Sequence, residues 1–234
     1  MKVVILAGGK GTRIFEETIN KPKPMIMIGE KPLIWHIMKI YAYYGFDDFV
    51  ICSGYKKEVL EEFFNNISEP WKVLVKDTGI ETMTGGRLKK IKKYVENDSF
   101  CFTYGDTLND LNISKLVDYH KKHKKFATVT ACHPPEKYGI LELTDNYVTN
   151  FKEKPIRENE WVNGGFFVLE PKIFDYINND YTVWEKDPLK TLSKNKQLMA
   201  FKHTGFYQPM DTLSDKMKLE KMWNEKNASW KVWK

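Results

Sequence analysis

No uncharged stretch among the 234 residues approaches the ~20 needed to cross a bilayer. Nor is a cleavable signal expected, since Met1-Lys2 runs straight into "VVILA". A soluble, cytoplasmic protein is the expectation, with no membrane partner. Cysteine is scarce: Cys52, Cys101 and Cys132 are odd in number, scattered and set in strand-like apolar runs. That argues against a disulfide framework and for buried, reduced thiols. No segment rich in Gly, Pro or Ser divides the chain and no internal repeat is visible, so a single domain over residues 1–234 is expected.

Histidine is equally sparse. His36 and His203 lie in apolar segments, His120 and His123 share a lysine-rich helix end, and His133 follows Cys132 without zinc-ligand spacing. None is placed as the base of a nucleophile, and all five read as structural. Basic residues exceed acidic ones by 37 to 31, a formal charge of +6. The two dense basic runs, "KKIKKY" from Lys89 and "HKKHKKF" from His120, read as solvated helix ends, where lysine suits the dipole. Nucleic acid is not expected as a partner.

What is present is a rhythm. Strand-like runs "KVVILA", "DFVICS", "WKVLVKD", "SFCFTYGD" and "FATVTAC" alternate with amphipathic stretches. "KPLIWHIMKIYAYYG" has Pro32 at a first-turn position and Gly45 where a C-terminal cap belongs. "KKEVLEEFF" and "GGRLKKIKKYV" carry helical spacing, and "NISKLVDYHKKH" opens on Asn112, a good N-cap. This alternation predicts an α/β fold with a mostly parallel sheet covered on both faces. After Cys132 the rhythm changes. "GILELTDNYVTNFKEK" reads as two strands around an Asp-Asn turn, and "GGFFVLEP" and "LMAFKH" as further strands. "KIFDYIN", "VWEKDPLKTLSK" and "TLSDKMKLEKMWNEK" read as helices.

Gly8-Gly9-Lys10-Gly11-Thr12-Arg13 follows the first strand, where glycine lets backbone N–H groups approach an anion. In open parallel sheets ligands bind beyond the strands' carboxyl ends. The loop is not a Walker A, since Gly11 follows Lys10, nor a dinucleotide fingerprint, since Ile14 stands where a small residue is needed. "NKPKPM" then sets Lys21 and Lys23 between prolines, which should hold the chain extended and out of a helix. Lysines so stiffened, with Arg13, can be aimed at phosphate oxygens.

"LAGGKGTR" followed by "KPKPM" closely resembles the signature of the sugar-phosphate nucleotidyltransferases. "VKDTGIETMTGGRLKK", "FTYGDTLND", "FKEKP", "VNGGFFVLEP", "TVWEKDPL" and "GFYQPMDT" are similar in particular to the branch that joins CTP to glucose 1-phosphate. The resemblance covers nearly the whole chain. It implies a Rossmann-like nucleotidyltransferase fold: a mostly parallel, mixed central sheet flanked by helices, with antiparallel strands added in the second half. A nucleotide-binding half (residues 1–132) would precede a sugar-phosphate-binding half (133–234). By resemblance Leu6, Ala7, Gly8, Gly9, Lys10, Gly11 and Thr12 wrap the triphosphate, Arg13 contacts its phosphates and Lys23 bridges the reacting groups. Gly105 adjoins the nucleotide, and Thr84, Gly85, Gly86 and Arg87 surround the pyrimidine. Asp106 ends an apolar strand, where a carboxylate alone would suit a cap or turn. The resemblance pairs it with Asp211 as ligands of Mg²⁺. Tyr138, Gly139, Glu153, Lys154, Asn163 and Gly164 mirror the acceptor pocket, with Trp184 and Glu185 closing it; Gly139 and Gly164 would leave room for a sugar ring.

The implied reaction is an in-line displacement at the α-phosphorus of CTP, with catalytic work on Arg13, Lys23, Asp106 and Asp211 and no general base. A homo-oligomer is also implied. Two departures bear on this. Only "NNISEP" spans a gap that is usually longer in this branch, and Thr107 stands where the branch usually has Gly. They leave open another sugar or polyol phosphate as acceptor, as well as a uridylyl or thymidylyl transferase. A silent nucleotide or sugar-phosphate sensor is the alternative of another class.

Overall fold

Alternate side chains of the first apolar run enter two different cores, as a sheet covered on both faces requires. A computed structural model describes residues 1–134, 139–153 and 160–233. The first half runs β1 (Val3–Leu6), α1 (Phe15–Thr18), β2 (Met27–Ile28), β3 (Lys31–Pro32), α2 (Leu33–Tyr43), β4 (Asp48–Ser53), α3 (Lys57–Asn65), β5 (Lys72–Asp77), α4 (Thr84–Lys90), α5 (Lys92–Val95), β6 (Phe100–Tyr104), β7 (Thr107–Asn109), α6 (Ile113–His123) and β8 (Ala127–Cys132). The second runs β9 (Ile140–Thr144), β10 (Tyr147–Lys152), β11 (Val162–Leu169), α7 (Asp187–Lys194), β12 (Leu198–His203), β13 (Tyr207–Pro209) and α8 (Leu213–Asn224).

The main sheet has seven strands in the order β12-β8-β11-β6-β1-β4-β5. β11 is antiparallel to both of its neighbours, and the other pairs are parallel. Val3 and Ile5 join Phe49, Ile51, Phe166 and Val168 in a core closed by α2, α6 and α8. Val4 and Leu6 join Val50, Phe100, Phe102, Phe167 and Leu169 in a second core, closed by Leu88 and Ile91 near α4 and Leu192 of α7. From β1 the chain moves outward to β4 and β5, then returns to β6 on the other side of β1. The carboxyl end of β1 is therefore a topological switch point, where a crevice opens between diverging connections.

Local signals set the helix ends. Gly45 has φ 84°. Its N–H donates to Ala42 O at 2.9 Å and that of Phe46 donates to Tyr41 O at 3.1 Å, the paired bonds of a Schellman cap. Asn112 Oδ1 accepts from Lys115 N–H at 2.9 Å and starts α6. Asp145, at φ 52°, turns the β9–β10 hairpin.

Four local readings are corrected. "NKPKPM" is extended only as far as Pro22; Lys23–Met25 closes a 3₁₀ turn, in which Ile26 N–H reaches Lys23 O at 3.1 Å. Pro24 lies inside that turn, where no N–H is needed of it. "GGRLKKIKKYV" is two helices, because the ladder breaks at Ile91, with φ −104° and ψ 4°. Pro32 is extended, at ψ 153°, and precedes α2 instead of lying in its first turn. "KIFDYIN" forms a 3₁₀ turn over Pro171–Tyr176.

The ladder that matters most for the site has only three residues a side. β13 pairs antiparallel with β7, Pro209 opposite Thr107, and Met210 N–H donates to Asp106 O at 2.9 Å. This brings the strand-end Asp106 to Asp211. The N-terminus of α8 then holds Asp211 in place. Thr212 and Asp215 form a reciprocal capping box, and Asp215 also accepts from Asp211 N–H at 3.0 Å. No helix among the described residues is long and apolar enough to cross a membrane, and Cys52, Cys101 and Cys132 are buried and unpaired.

Candidate active site

The loop after β1 turns at Gly11 (φ 65°) and lines a cleft of about 520 Å³. Leu6 through Arg13, Lys23, Thr84, Arg87, Gly105 and Asp106 all border it. Its three glycines have different physical causes. A Cβ on Gly8 would stand 2.0 Å from the Arg87 guanidinium, and one on Gly11 would stand 2.9 Å from Thr18 Cγ2. A Cβ on Gly9 would meet nothing within 4 Å, and Gly9 is not at positive φ. Only something entering the cleft would be obstructed there.

At the cleft's end the Lys23 ammonium donates to Asp106 Oδ2 at 2.9 Å and to Asp211 Oδ1 at 2.7 Å. Arg13 Nη1 donates to Asp211 Oδ2 at 2.6 Å. The Lys23 side chain is 9% exposed, against 71% for Arg13, so the two cations differ in how firmly they are held. Thr107 Oγ1, buried, donates to Asp106 Oδ1 at 3.1 Å, which gives the residue at the branch's usual glycine position a role in orienting that carboxylate. Two carboxylates with no nitrogen or sulfur donor suit a hard divalent cation that completes its shell with water and phosphate oxygens. Among the described residues, no cluster of three or more His, Cys, Asp or Glu could hold a metal.

The "TMTGGRL" segment behaves differently from expectation. Arg87, 4% exposed, donates through Nη1 to Ser53 O, Thr78 Oγ1 and Gly79 O, and through Nη2 to Gly8 O and Ile80 O, at 2.7 to 3.1 Å. Its planar fork ties the glycine loop to the loop after β5 from below. Gly85 N–H and Gly86 N–H donate to Thr182 O at 2.9 and 3.2 Å. A Cβ on Gly85 would lie 2.8 Å from Thr182 O, and one on Gly86 2.3 Å from Asp180 O. These glycines seat the 179–185 loop, and neither borders the cleft. Thr84 donates to Glu185 Oε2 at 2.7 Å and accepts from Trp184 N–H at 2.9 Å, so its hydroxyl is fully engaged. Ile80, Glu81, Thr82 and Met83 border the cleft along with Thr84 and Arg87, and Glu81 takes the Lys10 ammonium at 2.6 Å across its mouth. Sequence reasoning missed this segment, because nothing in "IETM" marks it.

Asn163 and Glu185, both expected on the acceptor side, converge on Tyr104, for which no role was expected. Tyr138 and Lys154 lie outside the described residues. Gly139 and Glu153 are adjacent, but the room beside Gly139 is taken by Phe151, whose Cε2 would be 2.8 Å from an added Cβ. Gly164 likewise faces Cys132 Sγ at 2.6 Å. Both glycines serve protein packing in this structure. Trp184 does not close a pocket; it is wholly buried between Phe102 and Phe167.

His36 is buried in the core and away from the cleft. His36 Nε2–H donates to Ile28 O at 2.9 Å and Nδ1 accepts from Trp230 Nε1–H at 3.3 Å; burial pushes its pKa down to about 4. Burial likewise pushes each of the three thiols up to about 12, so they stay protonated.

Comparison with known proteins places the chain in a family. The chain is 50% identical to the glucose-1-phosphate cytidylyltransferase of Salmonella typhimurium over a 256-residue alignment that covers 100% of both. That alignment is longer than this chain, so part of the relative has no counterpart here. The chain is also 32% identical to the mannose-1-phosphate guanyltransferase of Saccharomyces cerevisiae, covering 92% of this chain and 63% of that one. Among solved structures, UDP-glucose pyrophosphorylase complexed with UDP-glucose superimposes with a TM-score of 0.76 at 20% identity, covering 96% of this chain and 98% of that one. The nucleotidyl transferase family matches residues 2–224, and the chain belongs to that family.

Proposed function

We propose that this enzyme transfers the cytidylyl group of CTP to glucose 1-phosphate, giving CDP-glucose and pyrophosphate. The observation that carries the substrate pair is the 50% identity, over both full lengths, with a glucose-1-phosphate cytidylyltransferase. Residues 1–132 would carry the nucleotide and residues from 133 onward the acceptor.

In this reading the triphosphate lies along the glycine loop with its phosphates toward Arg13 and Lys23. Gly9 leaves room for close backbone approach. Asp106 and Asp211 would hold Mg²⁺, which when bound supplies charge neutralisation at the phosphates. An oxygen of the sugar 1-phosphate forms the new bond to the α-phosphorus, and the bond to the bridging oxygen breaks. That electron pair leaves with pyrophosphate. The attacking oxygen is already anionic, so no base is required. Lys23 releases its carboxylates for phosphate oxygens and stabilises the charge that develops there. Arg87 holds the loop from below without reaching substrate. Asn163, Glu153 and Glu185 stand on the acceptor side.

Pyrophosphate release with Mg²⁺, crossing CTP, UTP, dTTP, ATP and GTP against a panel of sugar 1-phosphates, tests the reading. Release with CTP and glucose 1-phosphate at least ~100-fold above every other pair is expected. A preference for another base or acceptor would overturn the substrate assignment. Silence across the panel with intact nucleotide binding would favour the sensor.

A further inference from the structure

Three segments far apart in sequence meet at one phenol, and a fourth joins them through Glu185. Tyr104 ends β6 and borders the cleft. Its hydroxyl donates to Glu185 Oε1 at 2.5 Å and accepts from Asn163 Nδ2 at 3.3 Å. Asn163 Oδ1 accepts from Gly165 N–H at 2.9 Å, which fixes the amide's orientation. The other oxygen of Glu185 takes the Thr84 hydroxyl at 2.7 Å, and Thr84 in turn accepts from Trp184 N–H at 2.9 Å.

Every proton in this set has one direction. The Tyr104 hydroxyl has a single hydrogen, committed to Glu185, and burial beside that carboxylate pushes its ionisation well above the ordinary range. The Thr84 hydrogen is committed to the same carboxylate. The peptide that carries Glu185 is anchored by the buried Trp184 indole between Phe102 and Phe167. The Tyr104 ring is seated too. A Cβ on Gly165, at φ 78°, would stand 2.8 Å from its Cδ2, so the ring lies against bare backbone. The next two residues are Gly105 and Asp106.

We propose that Tyr104 is a positioning residue of the reaction: through one hydroxyl it sets Asn163 and Glu185, on the acceptor side, in register with Asp106 and the first residue of α4 on the nucleotide side. This rests on the function proposed above only in naming Asn163 and Glu185 as acceptor-side groups. The tertiary arrangement supports it in two ways. Among the described residues, the phenol oxygen bonds both Glu185 and Asn163. In addition, Glu185 is itself held from the opposite side by Thr84, so loss of the hydroxyl frees the acceptor side while leaving the α4 contact in place. Misplacement of a bound reactant by about 1 Å costs roughly a hundredfold in rate.

Tyr104→Phe tests this, because it keeps the ring packing and removes only the hydroxyl. Steady-state kinetics would be measured with whichever nucleotide and sugar 1-phosphate the wild-type enzyme uses, alongside thermal melting. The expected result is a loss of about 10- to 100-fold in kcat/KM for the sugar phosphate, with the KM for the nucleotide within about threefold of wild type and a melting temperature within a few degrees. Glu185→Gln should give a defect of the same kind, since an amide cannot accept from both hydroxyls. Tyr104→Phe/Glu185→Gln should lose no more than the worse single variant, as members of one unit do.

Wild-type kinetics in Tyr104→Phe would overturn the proposal. So would a loss spread equally over both substrates, or a defect that only follows a large fall in melting temperature. A wild-type enzyme that prefers a different substrate pair would overturn the CTP and glucose assignment while leaving this test intact.

Discussion

Lys23 Nζ and Asp211 Oδ1 lie 2.7 Å apart, although 188 positions separate them in the chain. The same ammonium reaches Asp106 at 2.9 Å. One buried ammonium is therefore shared between two carboxylates from distant parts of the chain. In the proposed function these partners would be exchanged: the ammonium would move to phosphate oxygens as the carboxylates take up a divalent cation.

Replacing this ammonium should affect the transition state more than the ground state. Lys23→Ala is expected to lower kcat by about a thousandfold or more, with the Kd of CTP within about tenfold of wild type, because the charge is assigned to the developing pyrophosphate. Single-turnover kinetics combined with calorimetric CTP binding separate the two. Near-normal turnover would mean that another cation carries this role.

The same contact predicts a gain. In Lys23→Met the two carboxylates lose a near-buried counter-ion, so the nucleotide-free protein should bind Mn²⁺ at least several-fold more tightly than wild type. Paramagnetic titration measures this directly. Asp106→Asn should abolish the gain together with the metal-dependent activity.

Two adjacent glycines should respond oppositely. Gly8→Ala drives a methyl into Arg87, 2.0 Å away, and should destabilise the fold by roughly 1–3 kcal/mol. Gly9→Ala has open space. It should leave the urea midpoint unchanged and weaken CTP binding by about tenfold or more. Equal behaviour of the pair in unfolding and binding would remove the distinction.

Arg87→Lys keeps the charge but loses the fork that serves five acceptors. It should cost about 2–4 kcal/mol in urea unfolding, since carbonyls of Gly8, Ser53, Gly79 and Ile80 compete for fewer donors. The ratio of kcat/KM for CTP over UTP should stay within about twofold of wild type. A changed ratio would restore Arg87 to reading the base.

Acid should loosen the core through His36. Its folded pKa, about 4, lies below the ordinary 6.5, so the unfolded chain binds the proton more readily. The stability this neutral imidazole contributes is present above about pH 6.5. It falls as pH drops toward 4, by roughly 3 kcal/mol across the window. Imidazole proton resonances and denaturant midpoints between pH 7 and 4.5 test this; a His36 resonance titrating near 6.5 would contradict it.

Much of the fold was legible because its signals are local. Apolar alternation in "VVIL" and "FVIC", helical spacing in "LIWHIMKIY", Asn112 and Gly45 at helix ends, and the Asp145 turn each depend on neighbours a few residues away. The glycine loop was legible for the same reason, since its place after a strand makes it the mouth of the sheet's crevice. The site was only partly legible. Arg87 and the "TGG" ahead of it mark the right region, but what they touch could not be read from it. A glycine forced by Thr182, a guanidinium filled by carbonyls and a glycine that leaves room for ligand are the same letters in sequence. The sequence by itself determined the strands of the main sheet and of the β9–β10 hairpin, most of the helices, the reduced cysteines and the positions of the cations and carboxylates along the chain. Tertiary structure alone decided that the short β7–β13 ladder carries Asp211 to Asp106, that Lys23 stands between them, and that Tyr104 joins Asn163 to Glu185. Those contacts depend on strand order and on hydrogen-bond partners 59 to 188 residues away, which no local pattern encodes.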